Sequence, residues 1–224
     1  MEKRNNDTTF VRTDAAKSLT ETYVRAIAHR YHYEWRDIKK MRQIATQIRT
    51  TVEKEEGFYL LLPEQGKEQK LPIRDLGAEK QTARSRCAGV ALTLGNSLDA
   101  LQETYTRQED IEGAYMIEVI AGELMRNAYL QFSDYIMEHT CYEVGAFHFF
   151  GSRPELPLAD MKELLARLPG AAVTCNEAYC LEPKKSVVFL AELKQPDGRT
   201  KKEGQGASIH LCAQCSRKDC AFRE

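Results

Sequence analysis

The residues best equipped for chemistry lie at the end of the chain, in "IHLCAQCSRKDCAFRE". Cys212, Cys215 and Cys220 are spaced C-x2-C-x4-C. Two thiolates separated by two residues can grip one metal ion through a tight turn, and a third can join as the chain folds back. A tetrahedral site needs a fourth ligand, for which Cys180, Cys175 and His210 are the candidates. Zinc would make a structural clasp. An iron–sulfur cluster would make an electron carrier. The bland alternative is a set of free thiols, with Arg217 and Lys218 favouring the thiolate form through their positive charge.

The other candidates are scattered. Glu118 lies on what reads as the apolar stripe of a long helix, beside Ala114, Ala121 and Gly122. A carboxylate in such a place must be paired, hydrogen-bonded or protonated. The loop "GSRPELPL" holds Arg153 and Glu155. An arginine fork there suits a carboxylate, such as that of an amino-acid ligand. "EPKKSVVFL" puts Lys184, Lys185 and Ser186 just before a strand, where they could bind an anion or form a solvated turn. His29 and His32 stand three residues apart, a spacing that suits either a metal or a surface pair. Neither HExxH nor GxSxG occurs, nor a phosphate-cradling glycine loop.

The elements that must position these groups follow from periodicity. "DAAKSLTETYVRAIAHRYHY" and "EWRDIKKMRQIATQIRTTVEKE" read as amphipathic helices; in the second, Ile38, Met41, Ile44, Ile48 and Val52 recur at helical spacing. "GFYLLL" and "KLPIRD" read as short strands, and "CAGVALTLG" as a buried strand followed by a helix from about Ser97 to Tyr105. "QEDIEGAYMIEVIAGELMRNAYLQFSDYIMEH" is the strongest helix, with Ile111, Ala114, Glu118, Ala121, Met125, Ala128 and Phe132 on one face. "YEVGAFHFF" reads as a strand and "LPLADMKELLARLP" as a proline-bounded helix. "AAVTCNEAYC" and "KSVVFLAELKQPDGRTKK" read as strands, the last turning at Pro196-Asp197-Gly198. Helices come first, and no regular βαβα alternation follows, which predicts an α+β fold.

Composition narrows the function class. The 224 residues can bury a real core, and a formal net charge of -1 excludes a global nucleic-acid footprint. The opening "MEKRNNDTTF" has no apolar stretch of signal length, and no run reaches membrane-helix length. The expectation is a soluble cytoplasmic protein with no membrane partner. Seven cysteines in a reducing compartment then read as ligands or redox thiols rather than disulfides. Cys87 and Cys141, alone in apolar surroundings, read as small core residues.

Three stretches taken in order carry a resemblance: "CAGVALTLGNSLDAL", "EGAYMIEVIAGELMRNAYLQF" and "LPLADMKELLARLPGAAVTCNEAYCLEPKKSVV". With the ending "CAQCSRKDCAFR", this order resembles stand-alone relatives of the activation (reactivation) domain of cobalamin-dependent methionine synthase. The resemblance covers 20–224, ending in a cysteine-rich tail at about 210–224, after a polar segment at 1–19. It implies a single α+β domain with a curved, largely antiparallel sheet and flanking helices. It also implies binding of S-adenosylmethionine and reductive methylation of the cobalamin of a separate corrinoid protein or of methionine synthase, with the electron coming from a donor. Arg153-Pro154 resembles the Arg-Pro pair of the family's ligand loop, although Glu155 and Leu156 stand where glycine and tyrosine are expected. Glu118 falls where relatives carry an aspartate, and Lys185 and Ser186 match the family's Lys-Ser pair. The alternative is a non-catalytic corrinoid-protein partner or chaperone whose tail is clasped by zinc or an iron–sulfur cluster.

Overall fold

A computed structural model describes residues 9–63, 86–168 and 170–195. Five strands form one sheet: β1 (Thr9–Arg12), β2 (Gly57–Leu61), β3 (Arg86–Thr93), β4 (Glu143–Phe149) and β7 (Ser186–Lys194). Their order is β1-β2-β3-β7-β4, and every pairing is antiparallel. A short hairpin of β5 (Thr174–Cys175) and β6 (Leu181–Glu182) stands apart. The helices are α1 (Glu21–Arg30), α2 (Ile38–Val52), α3 (Asn96–Arg107), α4 (Ile111–His139) and α5 (Leu158–Ala166). The α+β class and the antiparallel sheet with flanking helices are those expected from the sequence. Among the described residues, no helix is long and apolar enough to cross a membrane.

The sheet is covered on both faces, and its period-two alternation sorts the side chains. Phe58, Leu60, Val90, Leu92, Phe189, Ala191 and Leu193 face the layer of α1–α4. Tyr59, Leu61, Ala91, Val188 and Leu190 face α5 and the segments around it. The central ladder pairs β3 with β7 from Arg86↔Leu193 to Thr93↔Ser186. On the helical face, α4 lays Phe132 against Phe58 and Phe189, with ring centroids 5.2 and 5.7 Å apart in edge-to-face geometry. On the other face Leu164 of α5 sits over Gly89 so closely that a Cβ there would come within 2.4 Å of Leu164 Cδ1.

Polar contacts fix the helix ends. The Thr20 side chain accepts from Tyr23 N at 3.2 Å and starts α1. This cap divides the first predicted helix, leaving Ala15–Ser18 as a 3-10 turn. Asp110 caps α4 by accepting from Gly113 N at 2.9 Å, and Lys40 of α2 reaches both Asp110 and Glu112, at 2.6 and 2.8 Å. Between α1 and α4, Glu123 is buried and accepts from Arg30 Nη1 at 2.6 Å and from the Tyr23 hydroxyl at 2.8 Å. Burial, with the Glu123 carboxylate next in effect, pushes the Tyr23 phenol up to about 12.

Several expectations meet a different outcome. β1 begins inside the segment 1–19 read as polar, and it forms an edge of the sheet. The strand expected over "AAVTCNEAYC" is reduced to Thr174–Cys175, because the chain turns at once: Asn176 Oδ1 accepts from Ala178 N and Cys180 N at 2.9 and 3.0 Å. Cys141 is exposed rather than a core residue, since it follows the last turn of α4. Cys87 is half-buried, and burial pushes its thiol up to about 11. "KLPIRD" and the turn at Pro196-Asp197-Gly198 lie outside the described residues.

One buried acid ties the edge of the sheet to the helices. Glu56 is 1% exposed, and its carboxyl oxygens accept from Ala16 N at 3.1 and 3.3 Å. Burial raises it from the ordinary 4.5 to about 7, only partly offset by the Ala16 bond and the charge of Lys17, while Asp14 and Glu53 push the same way as burial. In the unfolded chain the acid ionises near its ordinary value, so between about pH 4.5 and 7 the native state binds more protons than the unfolded state. Its contribution is therefore full below the lower value and lost as pH rises through the upper one. Urea denaturation of wild type and Glu56→Gln at pH 5 and pH 8 is expected to show wild type losing more stability on the rise, the variant lacking this slope.

Candidate functional site

The expected ligand-binding residues occupy one end of the sheet, where β3 and β4 finish and β7 begins. Ser186 Oγ donates to Thr93 Oγ1 at 2.8 Å, and Leu94 N donates to Lys185 O at 2.9 Å. The chain then swings into α3 through Gly95, whose φ of +87° favours glycine. A Cβ there would also meet the Glu55 side chain at 2.3 Å. The close approach has a purpose: Glu55 accepts from Ser97 N at 2.9 Å and from the Ser97 hydroxyl, fastening the first turn of α3. Asp99 Oδ2 accepts from Lys184 N at 2.6 Å and holds the turn before β7 against α3.

Glu118 and Lys185 meet here as an ion pair joining α4 to the start of β7. Gln102 Nε2 of α3 donates to the second carboxylate oxygen of Glu118 at 3.1 Å. Burial pulls the Glu118 carboxyl up, but the Lys185 ammonium and the Gln102 amide outweigh it and hold the group below its usual range. The pair is half-exposed, with side-chain exposures of 47% for Glu118 and 18% for Lys185. Glu118 is thus not on the buried stripe. Met116, Ile117, Ile120, Leu124 and Ala128 form that stripe, and the buried acid of α4 is Glu123.

Arg153 and Glu155 belong to the opposite face. The loop between β4 and α5 is braced by Gly151 N donating to Leu156 O at 2.7 Å and by Leu156 N donating to Arg153 O at 3.1 Å. Leu156 and Phe150 are buried in the cluster under α5. Arg153, Pro154 and Glu155 are left exposed at the loop's crown. Neighbouring His148 of β4 is lowered first by burial and then by the positive charge of Arg153, and its Nδ1 is buried without a hydrogen-bond partner among the described residues. The structure therefore brings Glu118, Lys185 and Ser186 together, and sets Arg153 and Glu155 apart from them on the other side of the sheet.

The metal candidates divide similarly. Cys180 is exposed at the β5–β6 hairpin and Cys175 is half-buried beside it. Among the described residues, no three histidine, cysteine or acidic side chains converge closely enough to hold a metal ion. Cys212, Cys215, Cys220 and His210 lie outside the described residues. His29 and His32 are exposed.

No protein-family model and no curated protein matches the chain. Among solved structures, the chain is similar to the crystal structure of the MetH reactivation domain bound to AdoHcy. The likeness covers 51% of this chain and 41% of that one, with 17% identity and a TM-score of 0.39. This chain therefore spans less than half of that neighbour's length.

Sequence reasoning missed Glu55, Glu56 and Glu123. The first two are adjacent acids directly before an apolar strand, and Glu123 interrupts the apolar run "MIEVIAGEL"; acids in such places are usable signals. The tight turn at Gly95 yields a testable outcome. Gly95→Ala is expected to destabilise the protein by about 1–3 kcal/mol, because its positive φ with extended ψ is a backbone conformation open essentially to glycine alone, measured by equilibrium urea denaturation. An unchanged midpoint would show that the turn relaxes freely.

Proposed function

We propose that this chain is an accessory protein for cobalamin-dependent methyl transfer. It reactivates a separate corrinoid protein, or methionine synthase, by reductive methylation with S-adenosylmethionine. In this reading an electron from a separate donor reduces the partner's cobalt, the methyl group passes from S-adenosylmethionine to it, and S-adenosylhomocysteine is released. The chain's own residues hold the methyl donor and dock on the corrinoid protein, while the cobalamin stays with the partner.

One observation carries the reading: an exposed Arg-Pro pair on a loop fixed by main-chain bonds and a buried leucine anchor. A guanidinium presented from this fixed backbone can take the carboxylate of an amino-acid-like ligand in a two-pronged contact. Glu155, two residues on, offers an acceptor for the ligand's ammonium. The order of the three family-like stretches supports the same ligand class. An S-adenosyl ligand is also what the MetH reactivation domain holds, but for this chain the reading rests on the loop and on the sequence order. Glu118, Lys185 and Ser186 would serve differently. Each is already engaged by a protein neighbour, so they would set the shape of the sheet end or open to a docked partner.

The cysteine tail suits zinc or an iron–sulfur cluster by its thiolate chemistry. Cys180 offers an exposed thiol as a fourth ligand.

A second reading is favoured by the same closed Glu118–Lys185 pair and by Glu155 and Leu156 standing in place of glycine and tyrosine. In it the chain is a non-catalytic corrinoid-protein partner or chaperone with a metal-clasped tail.

Calorimetric titration of the whole chain with S-adenosylmethionine separates the two. Under the first reading wild type binds, and Arg153→Ala loses about 1.5–3 kcal/mol of affinity, the range for a charge-assisted hydrogen bond. Unchanged affinity in the variant would remove Arg153 from the site, and no binding by wild type would leave the second reading.

A further inference from the structure

His148 stands on β4 just before the loop that carries Arg153. It pairs with Leu190 of β7, between Phe147↔Ala191 and Phe149↔Phe189. Phe147, Ala191 and Phe189 pack into the helical layer, whereas Leu190 belongs to the cluster under α5. Alternation along the strand therefore turns His148 to the α5 side. The loop after β4 folds onto that same side, with Phe150 and Leu156 anchored in the α5 cluster. Ser152 N donates to Phe149 O at 3.2 Å and ties the loop to the residue after His148. Arg153 comes close enough for its charge to act on the imidazole.

The ring has one usable nitrogen. His148 is half-buried, and its Nδ1 is sealed from solvent with no hydrogen-bond partner among the described residues. A proton on Nδ1 would make a buried N–H without an acceptor. The neutral ring therefore keeps its lone pair on Nδ1 and its proton on Nε2, on the edge that reaches the surface. The charged groups facing the ring are Arg153, Glu192 and Lys194. Glu192 is already beside Lys194, with Oε2 3.7 Å from Nζ. Burial first, then the charges of Arg153 and Lys194, hold the imidazole below its usual range, so it is neutral at pH 7.

We propose that His148 is a second ligand-holding residue of this loop, and that the site takes S-adenosyl compounds that keep their α-carboxylate. The inference rests on the reading that the loop binds S-adenosylmethionine. The Arg153 guanidinium and the His148 Nε2–H meet on one carboxylate, the first supplying charge and the second a neutral donor. Arg153 alone is an exposed, hydrated cation, and such contacts are weak by themselves. A donor carried by a strand keeps its geometry better than one on a loop crown. A ligand without the carboxylate leaves both donors unsatisfied, which is how the site rejects it.

The test is calorimetric titration of the whole chain with S-adenosylmethionine and with its decarboxylated analogue. Wild type is expected to bind the analogue at least about tenfold more weakly. His148→Phe keeps a ring but no N–H. It is expected to lose about tenfold or more in affinity for S-adenosylmethionine, and little for the analogue. His148→Gln, whose amide reaches about as far as Nε2, is expected to recover most of that loss. Nitrogen-15 NMR of wild type is expected to show His148 neutral at pH 7 with its proton on Nε2. The two wild-type measurements decide the matter even where a variant folds poorly. No binding of S-adenosylmethionine by wild type overturns the loop reading and this inference together. Binding that Arg153→Ala weakens and His148→Phe leaves unchanged overturns this inference alone. So does equal affinity for the analogue, or a proton on Nδ1.

Discussion

The antiparallel pairing of β3 with β7 is the constraint on which the rest of the molecule depends. Its register, from Arg86↔Leu193 to Thr93↔Ser186, decides which side chains face which layer. A slip of β7 by one residue would send Phe189 and Ala191 towards α5, and would turn Val188 and Leu190 towards α4. The two layers could not accept the exchange. The helical side presents the bulky Phe132, whereas the α5 side brings Leu164 down onto Gly89. Register, aromatic packing and one absent side chain therefore enforce each other.

The same ladder sets out the chemistry. It ends at Thr93 and Ser186, whose hydroxyls bond to each other, and the chain leaves that end in two directions. The turn after β3 starts α3, and the turn before β7 presents Lys185 to Glu118 of α4. The loop after β4 drops to the other face and exposes Arg153. The loop proposed to hold S-adenosylmethionine and the ion-paired clasp at Glu118 therefore lie around one sheet end but on opposite faces of it.

Much of this was legible in the sequence because long amphipathic periods and apolar runs carry their own geometry. α2, α4, β2, β3 and β7 stand where their patterns put them. The phase of α4 was harder. That helix is apolar around most of its circumference, so the stripe through Glu118 and the stripe through Ile117, Ile120 and Leu124 look equally good. Only contact with α1 and the sheet decides between them, and it buries Glu123 instead. Edge strand β1 was invisible for a related reason: four residues of mixed polarity have no period, and their strand character comes from pairing with β2. The Arg-Pro loop was legible as a loop. Its position on the opposite face from Lys185 was not, because it depends on the sheet order β3-β7-β4.

The central functional claim is that the loop at residues 150–157 holds the methyl donor. Hydrogen–deuterium exchange of the whole chain, with and without saturating S-adenosylmethionine, tests it most directly. The account predicts slower exchange concentrated at Gly151, Ser152, Arg153 and Leu156, with the strands of β3 and β7 unchanged. No protection anywhere, or protection confined to the Glu118–Lys185 clasp, would contradict it.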